Sequence, residues 1–179
     1  MGTYDWAAQA YHDSAPFAAF DLETTGLDPR QDRIVEIGAV KFDRRGLLGR
    51  FSVLINPGIP MPAEASRVNG ITDALLRGKP RLDQVFPDFL RFIRGTVLVA
   101  HNAPFDAGFI NEKLRAGSDP PLTDRLVDTL VYAREVFPGR NSYKLRNLAV
   151  SLGIAAGEVH RAEEDARLCM EIFIRCLAP

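Results

Sequence analysis

The sequence has few cysteines and no long hydrophobic run, and both absences narrow the class of protein. Its two cysteines, Cys169 and Cys176, lie seven residues apart in a helical pattern. That spacing stacks them on one helix face too far apart for a disulfide, so we predict reduced thiols in a cytoplasmic protein. No apolar stretch reaches the roughly 20 residues that a membrane helix needs. The N-terminus has acidic residues and no basic segment, unlike a secretory signal.

An excess of charge of either sign is also lacking. The chain of 179 residues carries 22 Lys and Arg against 23 Asp and Glu, a net charge of −1. Such a balance gives no global attraction to nucleic acid, so a nucleic-acid partner would need a local basic patch or bound metal ions. The length suits one domain, which we place at residues 16–179 after an N-terminal tail at 1–15.

Hydrophobic runs predict an α/β fold. The first three strands are expected at 17–23, 33–43 and 50–57, where the short connection 43–49 favours an antiparallel hairpin. Later segments are predicted as a strand at 96–102, a fifth strand or the lead-in to a helix at 125–130, and helices at 82–94, from about Pro104, and at 162–177. This order indicates a mixed sheet with helices on its faces.

Two acids interrupt the end of the first strand. Asp21 and Glu23 are two residues apart, so both project from the same face of the strand. Neighbouring carboxylates repel each other and resist burial unless a cation neutralises them. The alternative is a strand end that simply reaches solvent.

Two further acids lie on predicted helices. Asp106 follows Pro104 in a first helical turn, where the helix dipole alone would favour a carboxylate. Asp165 lies four residues before Cys169 and continues the apolar stripe of the last helix. A cap or a buried salt bridge is the alternative role for Asp165. His160 can converge with Asp165 only if it lies on the loop that enters this helix, and otherwise is an exposed histidine.

If the four acids meet, their chemistry is constrained. Hard oxygen ligands without cysteine suit Mg²⁺ or Mn²⁺ rather than zinc. Two such ions can activate a water and stabilise the leaving oxygen of a phosphodiester, and a neutral histidine can accept the proton of the water. Such a site would belong to a phosphodiester hydrolase, although spacing alone does not show that the acids meet.

Three motifs resemble those of the DnaQ-like (DEDDh) 3′–5′ exonucleases. They are "FDLETTGL" at 20–27, "VAHNAPFD" at 99–106 and "HRAEEDA" at 160–166, and flanking segments extend the resemblance over roughly residues 17–175. The resemblance implies a ribonuclease H-like fold with a mixed five-stranded sheet. It also implies removal of nucleotides from a 3′ end with two divalent metal ions, Mg²⁺ or Mn²⁺.

The resemblance implies roles for individual residues. Asp21, Glu23, Asp106 and Asp165 would hold the metal ions, and His160 would be the general base. The candidates for substrate contact are Thr24, Gly26, Leu27, Phe105 and Asn69, the last replacing a histidine that proofreading members often have. Structural roles are expected for His101, Asn102 and Glu36.

The substrate and partners are less constrained. The form "DLETTGL" favours a DNA-directed, proofreading-like branch acting on single-stranded or frayed DNA 3′ ends, with a DNA polymerase subunit as a possible partner. The alternatives are an RNA-trimming exonuclease and a non-catalytic module that docks onto a polymerase. A basic cluster of Arg134, Arg140, Lys144 and Arg146 is either a contact for the substrate backbone or an ordinary solvated helical face.

Overall fold

Five strands form one mixed sheet in the computed structural model, which describes residues 2–122, 125–157 and 161–178. The strands are β1 Phe17–Thr24, β2 Ile34–Asp43, β3 Gly46–Leu54, β4 Val97–Ala100 and β5 Leu126–Asp128. Their order across the sheet is β3-β2-β1-β4-β5. The pairs β1–β2 and β2–β3 are antiparallel, whereas β4 is parallel to both β1 and β5. The predicted mixed sheet, with its first three strands antiparallel, is confirmed.

Helices flank this sheet on both faces. Those in the described ranges are α1 Asp5–His12, α2 Ala63–Asn69, α3 Asp73–Leu76, α4 Leu82–Ile93, α5 Ala103–Ala116, α6 Thr129–Val136, α7 Leu145–Ser151 and α8 Ala162–Leu177. None of the helices in those ranges is both long and apolar enough to cross a bilayer. The segment 125–130 combines both alternatives that the sequence left open, since β5 ends at Asp128 and α6 begins at Thr129.

The side chains of β1 alternate between the two faces of the sheet and so contribute to two hydrophobic cores. Phe17 and Ala19 face one core with residues of α1, α6, α7 and α8, whereas Ala18, Phe20 and Leu22 face the other with α4 and α5. Side chains alternate along a strand, so Asp21 and Glu23 continue the face that carries Phe17 and Ala19. The two acids therefore lie on the α8 side of the sheet. Cys169 and Cys176 are buried on α8 and unbridged, as predicted.

The N-terminal segment predicted as a tail, residues 1–15, contains α1 and packs against the α8-side core. Ala7 and Tyr11 lie four apart on one face of α1, so they meet the same surface. Ala7 is fully buried, and the Tyr11 ring lies 5.8 Å from that of Phe17 and 5.9 Å from that of Phe173. The segment thus completes the α8-side core.

The hairpin between β2 and β3 is tighter than predicted. β3 begins at Gly46, so the expected connection 43–49 contributes Leu47 and Leu48 to the strand. Both leucines are exposed, and the first three residues of β3 lack the alternating burial that the rest of the strand shows. This difference lies far along the chain from the predicted acids and leaves their placement unchanged.

Candidate active site

The end of β1 fixes the first two carboxylates. Asp21 pairs in register with Gly38 of β2, and Glu23 pairs with Glu36. The register shifts immediately after Glu23, between Glu23 and Thr24, where the chain leaves the regular ladder. The rigid strand therefore presents both carboxylates on one face, as the two-residue spacing predicted.

Asp106 reaches this strand from the first turn of α5. Its Oδ1 accepts a hydrogen bond from the backbone N–H of Leu22 at 2.9 Å. Leu22 lies between Asp21 and Glu23, so the bond fastens the start of α5 to the strand that carries both acids. Asp106 is buried, and its prediction as a residue of the same site agrees with this placement.

Asp165 comes from the first turn of α8, and a glycine lets that helix approach. A Cβ added at Gly38 would lie 2.0 Å from the backbone carbon of Ala162, so only glycine admits the start of α8 at this point of β2. Carboxylate oxygens of Asp21, Glu23 and Asp165 all lie within 4.8 Å of one another. The structure thus gathers three predicted acids, and Asp106 adjoins them through Leu22.

Burial raises the pKa values of Glu23, Asp106 and Asp21, and repulsion from neighbouring carboxylates adds to the rise. Burial raises the pKa of Glu23 to about 8, with repulsion from Asp165 and Glu36 adding to it. Burial also raises the pKa of Asp106 to about 7, although hydrogen bonds from the backbone oppose the rise. The pKa of Asp21 is raised well above its ordinary range by burial and then by repulsion from Asp106 and Asp165. Among the described residues, the cluster therefore lacks enough positive charge to balance its acids.

A cation of the described chain also contacts the cluster. The guanidinium of Arg146, on α7, lies with Nη2 2.6 Å from Oδ1 of Asp165, and its Nη1 donates to the carbonyl of Gly157 at 3.3 Å. A single guanidinium does not balance several buried carboxylates, whereas divalent cations would. The donor set consists of carboxylate oxygens, which suits Mg²⁺ or Mn²⁺. The residues present therefore fit the predicted metal ions.

His160, the predicted general base, lies outside the described residues. Its neighbour Arg161 is held by Glu36, whose Oε1 accepts hydrogen bonds from the Arg161 guanidinium at 2.7 and 3.2 Å. The other oxygen of Glu36 accepts from the backbone N–H of Ala162 at 3.3 Å. The predicted structural role of Glu36 is confirmed, since this buried acid anchors the start of α8 to β2.

The loop after β1 is braced from within. Asp32 accepts hydrogen bonds from the Thr25 hydroxyl at 3.1 Å and the Asp28 backbone N–H at 2.9 Å. A Cβ on Gly26 would lie 2.4 Å from Asp32, so the carboxylate packs directly on this glycine. Leu27 on the same loop is 82% exposed. The Leu27 side chain is therefore accessible to a ligand.

The other substrate candidates surround this loop. The Thr24 hydroxyl donates to the carbonyl of Gly26 at 2.6 Å, and Asn69 Nδ2 donates to the carbonyl of Thr24 at 3.3 Å. A side-chain hydrogen bond from Asn69 also opposes the rise in the pKa of Glu23, so Asn69 lies against the cluster. Phe105 is half-buried, with its ring 5.3 Å from that of Phe109.

His101 and Asn102 connect structural elements. His101 Nε2 lies 2.8 Å from the carbonyl of Tyr143, and Nδ1 lies 2.9 Å from the Thr129 hydroxyl. Asn102 has a left-handed backbone with φ 59°, which asparagine adopts more readily than most residues, and its N–H donates to Asp128 at 3.0 Å. These contacts agree with the predicted structural roles.

The predicted basic cluster separates into different environments. Arg146 pairs with Asp165, and Arg140 lies over the Phe137 ring while donating to the carbonyl of Ser151. Arg134 and Lys144 instead line an open groove beside Asn102. A common role for all four cations is therefore not supported by their contacts.

Three contributors to the site were missed in the sequence. Gly38 had a signal, because a glycine inside an otherwise apolar strand indicates a close approach of another chain segment. The signal for Asp32 was weaker, because it consisted only of an acid in the turn that follows the first motif. The pairing of Arg146 with Asp165 spans two helices and had no local signal.

Comparison with known proteins agrees with this geometry. Residues 18–173 match the exonuclease (RNase_T) family. The DNA polymerase III subunit epsilon of Treponema pallidum is 51% identical over 177 residues, covering 98% of this chain and 82% of that protein.

Solved structures show the same fold. A structure of exonuclease X in complex with 5′ overhanging duplex DNA aligns with a TM-score of 0.73 and 26% identity over 90% of each chain. The nuclease domain of 3′hExo, a DEDDh family member bound to rAMP, aligns with a TM-score of 0.77 and 17% identity over 92% of each chain. The fold is therefore ribonuclease H-like, as the motifs implied. Because the family match covers most of the chain and a relative is 51% identical over nearly the chain's whole length, the chain belongs to the exonuclease family, as a DnaQ-like 3′–5′ exonuclease.

Proposed function

We propose that this exonuclease hydrolyses the terminal phosphodiester bond of single-stranded or frayed DNA and releases nucleoside 5′-monophosphates. The observation that carries the proposal is the carboxylate cluster at the end of β1, in which oxygens of Asp21, Glu23 and Asp165 lie within 4.8 Å of one another. Asp106 is bound to the backbone between the two strand acids. Asp106 and Asp165 are buried and Asp21 and Glu23 are half-buried, so repulsion among them disfavours the metal-free fold and a bound cation would relieve it.

Two divalent ions, Mg²⁺ or Mn²⁺, would be held by Asp21, Glu23, Asp106 and Asp165. When bound, such ions polarise the scissile phosphate and make a water more acidic. The fold fixes these carboxylates before a metal ion binds. The strand β1 orients Asp21 and Glu23, and a hydrogen bond from the backbone N–H of Leu22 orients Asp106. Fixed ligands reduce the reorganisation that binding requires.

His160 would accept the proton of the attacking water. A neutral imidazole suits this role near neutral pH. Support comes from the third motif and from its neighbour Arg161, which the buried Glu36 fixes by two hydrogen bonds. The same carboxylate holds the N–H of Ala162, so the backbone next to His160 is anchored to β2.

The terminal nucleotide would lie against the loop after β1. Leu27 is exposed for contact with a base or sugar, and Thr24, Gly26 and Asp32 hold the loop in place. Phe105, one residue before Asp106 and half-buried, offers an aromatic surface on the α5 side. Asn69, which hydrogen-bonds to Thr24, would orient the loop beside Glu23.

The biological role that we propose is proofreading for a DNA polymerase. The support is the relative in Treponema pallidum named as a polymerase III subunit, which shares 51% identity over nearly the whole chain. By the same analogy, the partner would be a polymerase subunit.

RNA trimming is a second candidate, because a 3′hExo structure with the same fold contains rAMP. A few contacts to the 2′-hydroxyl would decide between the two substrates. A purely docking role has less support, because the described acids of the site are all present and gathered.

A single assay tests the reaction. The purified protein is incubated with 5′-labelled single-stranded DNA or matched RNA, with Mg²⁺, Mn²⁺ or EDTA, beside Asp106→Ala. We expect a ladder of products that shortens from the 3′ end, and that forms faster on DNA than on RNA. EDTA and the Asp106→Ala substitution should each abolish this shortening. Faster shortening of RNA would favour the trimming role. No shortening of either strand with either metal would contradict catalysis by the isolated protein.

A further inference from the structure

An open groove of about 490 Å³ lies beside the start of α5. Its lining residues are His101, Asn102, Leu130, Arg134, Tyr143, Lys144 and Leu145. This lining contributes two full positive charges, from Arg134 and Lys144, and no carboxylate. Burial lowers the pKa of His101 from its ordinary 6.5, so that side chain is neutral at neutral pH. The groove is therefore a local basic surface on a chain whose net charge is −1.

The two cations are available to a ligand. Within the described ranges, neither Arg134 nor Lys144 forms a salt bridge, although eight such pairs occur elsewhere in those ranges. The Arg134 guanidinium lies over the Tyr143 ring, 5.6 Å from its centroid. Such stacking holds the guanidinium in place and leaves its N–H groups free to donate at the edge of the plane.

The frame of the groove is rigid. His101 connects Tyr143 to Thr129 through hydrogen bonds of 2.8 and 2.9 Å. Asp128 accepts from the N–H groups of both Asn102 and Leu130, at 3.0 and 2.9 Å. The segments that carry the two cations are therefore fastened to the end of β4 and the start of α6. A fixed frame reduces the entropy that binding would cost.

The groove adjoins the carboxylate site. Asn102 is the N-cap of α5, and Asp106 follows four residues later, about 6 Å along the helix axis at 1.5 Å per residue. A chain that leaves the carboxylates in this direction passes the groove next. An acidic site needs cations nearby to retain a polyanionic substrate, and Arg134 and Lys144 line the groove next to this helix start.

We propose that this groove binds phosphodiester groups of the substrate strand on the 5′ side of the scissile bond, through Arg134 and Lys144. The proposal rests on the exonuclease function proposed above and adds a site for the strand that remains after cleavage. Contacts to phosphate position a strand without reading its sequence, which suits an enzyme that removes any terminal nucleotide.

A second cavity in the described ranges is a poorer candidate. It has a volume of about 320 Å³ and includes Arg30, Arg33, Arg81 and Lys113 in its lining. Its lining also contains Asp32, Asp83 and Glu112, so three carboxylates nearly balance four cations. Lys113 is moreover paired with Asp83. The lining of the groove at Arg134 contains no carboxylate.

Two substrates separate the groove from the reaction. One is a 5′-labelled oligothymidylate, which has phosphates on the 5′ side of the scissile bond, and the other is the p-nitrophenyl ester of thymidine 5′-monophosphate, which has none. The variants are Arg134→Gln, Lys144→Gln and the double variant. The control is Arg140→Gln, because Arg140 is an exposed cation nearby that lies outside the groove.

We expect each groove variant to raise KM on the oligonucleotide by roughly two- to fivefold and the double variant by about tenfold. Their activity on the ester should not change. The slope of log KM against log salt should fall by about 0.7 for each phosphate group that the variant no longer binds. Unchanged KM and salt slope on the oligonucleotide, or an equal loss on the ester, would overturn the proposal. Failure of the exonuclease function itself would show differently, as no hydrolysis of either substrate by the unmodified protein.

Discussion

Glu23 and Glu36 face each other across β1 and β2, yet their surroundings are opposite. Glu36 is fully buried, and it accepts hydrogen bonds from the Arg161 guanidinium and the N–H of Ala162. Glu23 lies among Asp21 and Asp165, and burial followed by repulsion raises its pKa to about 8. Glu36 has its compensating charge inside the fold, whereas the part of the chain that the structure describes shows no ion pair for Glu23.

The difference separates a structural acid from a ligand-binding acid. Removing one partner of a buried ion pair is costly, but the intact pair needs no further charge from solvent or from a ligand. A group of buried carboxylates with raised pKa values lowers the stability of the metal-free fold, and such groups cluster at functional sites. The same residue type on two paired strands therefore serves two purposes.

The largest expected effect is on catalysis. Glu23→Gln should lower kcat/KM on single-stranded DNA by about a thousandfold, because loss of a metal ligand removes several kcal/mol of transition-state stabilisation. Glu36→Gln should stay within about tenfold, since Glu36 acts only through the placement of α8. The measurement is 3′-end hydrolysis at saturating Mg²⁺. Comparable losses in the two variants would remove the distinction between the two acids.

The effects on stability should have opposite signs. Glu36→Gln should cost about 1–3 kcal/mol of unfolding free energy, because the Arg161 guanidinium and the start of α8 lose a charged acceptor. Glu23→Gln should add about 1 kcal/mol in EDTA at pH 8, because a repelling charge is removed.

Urea denaturation at pH 8 in EDTA measures both changes. Glu163→Gln is a suitable control, since its ion pair with Arg50 is solvent-accessible and should contribute less than about 1 kcal/mol. A destabilised Glu23→Gln variant would show that Glu23 has a compensating partner in the metal-free protein.

A third effect concerns how closely α8 approaches the sheet. Gly38→Ala places a Cβ where the Ala162 backbone lies at 2.0 Å, so the helix must move away from Asp21 and Glu23. We expect a loss of about 2–3 kcal/mol, by overpacking, together with weaker Mn²⁺ binding measured by calorimetry. Gly49→Ala on β3 is the matched control, because its Cβ would meet the Phe92 ring at an ordinary 3.4 Å. Equal effects of the two substitutions would exclude a specific role for Gly38.

The sequence predicted those parts of the molecule that depend on local pattern. The last helix was expected at 162–177 and is found at Ala162–Leu177, and the helix expected at 82–94 is found at Leu82–Ile93. Both have apolar residues at helical spacing, which is a strong signal. The N-terminal helix was missed, because its apolar face is formed by alanine and tyrosine rather than by a leucine-rich stripe.

The gathering of the acids was predictable only through motif resemblance. Asp21 and Glu23 share a strand face by period, but their nearness to Asp165 depends on Gly38 and on the packing of α8. The pairing of Arg146 with Asp165 depends on how α7 lies against α8, which no local pattern in a single sequence encodes.

A smaller effect should appear in the pH dependence of stability. The pKa of Glu23 is about 8 in the fold against an ordinary value of 4.5 when unfolded, so the folded protein binds more protons between these values. The contribution of Glu23 to stability is therefore lost as pH rises through this window. We measure in EDTA the melting temperature of the unmodified protein minus that of Glu23→Gln. This difference should fall by at least about 3 °C as the pH rises from 5 to 8.5. A pH-independent difference would contradict the raised pKa, and saturating Mg²⁺ should reduce the fall.

The smallest expected effect tests Arg146, whose guanidinium contacts the cluster. The guanidinium of Arg146 lies 2.6 Å from Asp165, so it competes for that carboxylate with any bound metal ion. Arg146→Met should therefore lower the melting temperature in EDTA but tighten Mn²⁺ binding by about two- to fivefold, measured by calorimetry. Arg140→Met is the control, because Arg140 lies over Phe137 and contacts no carboxylate within the described ranges. Weaker Mn²⁺ binding by Arg146→Met would instead mean that the guanidinium orients Asp165 for the metal, and Arg146 would then belong with Glu36 among the residues that build the site.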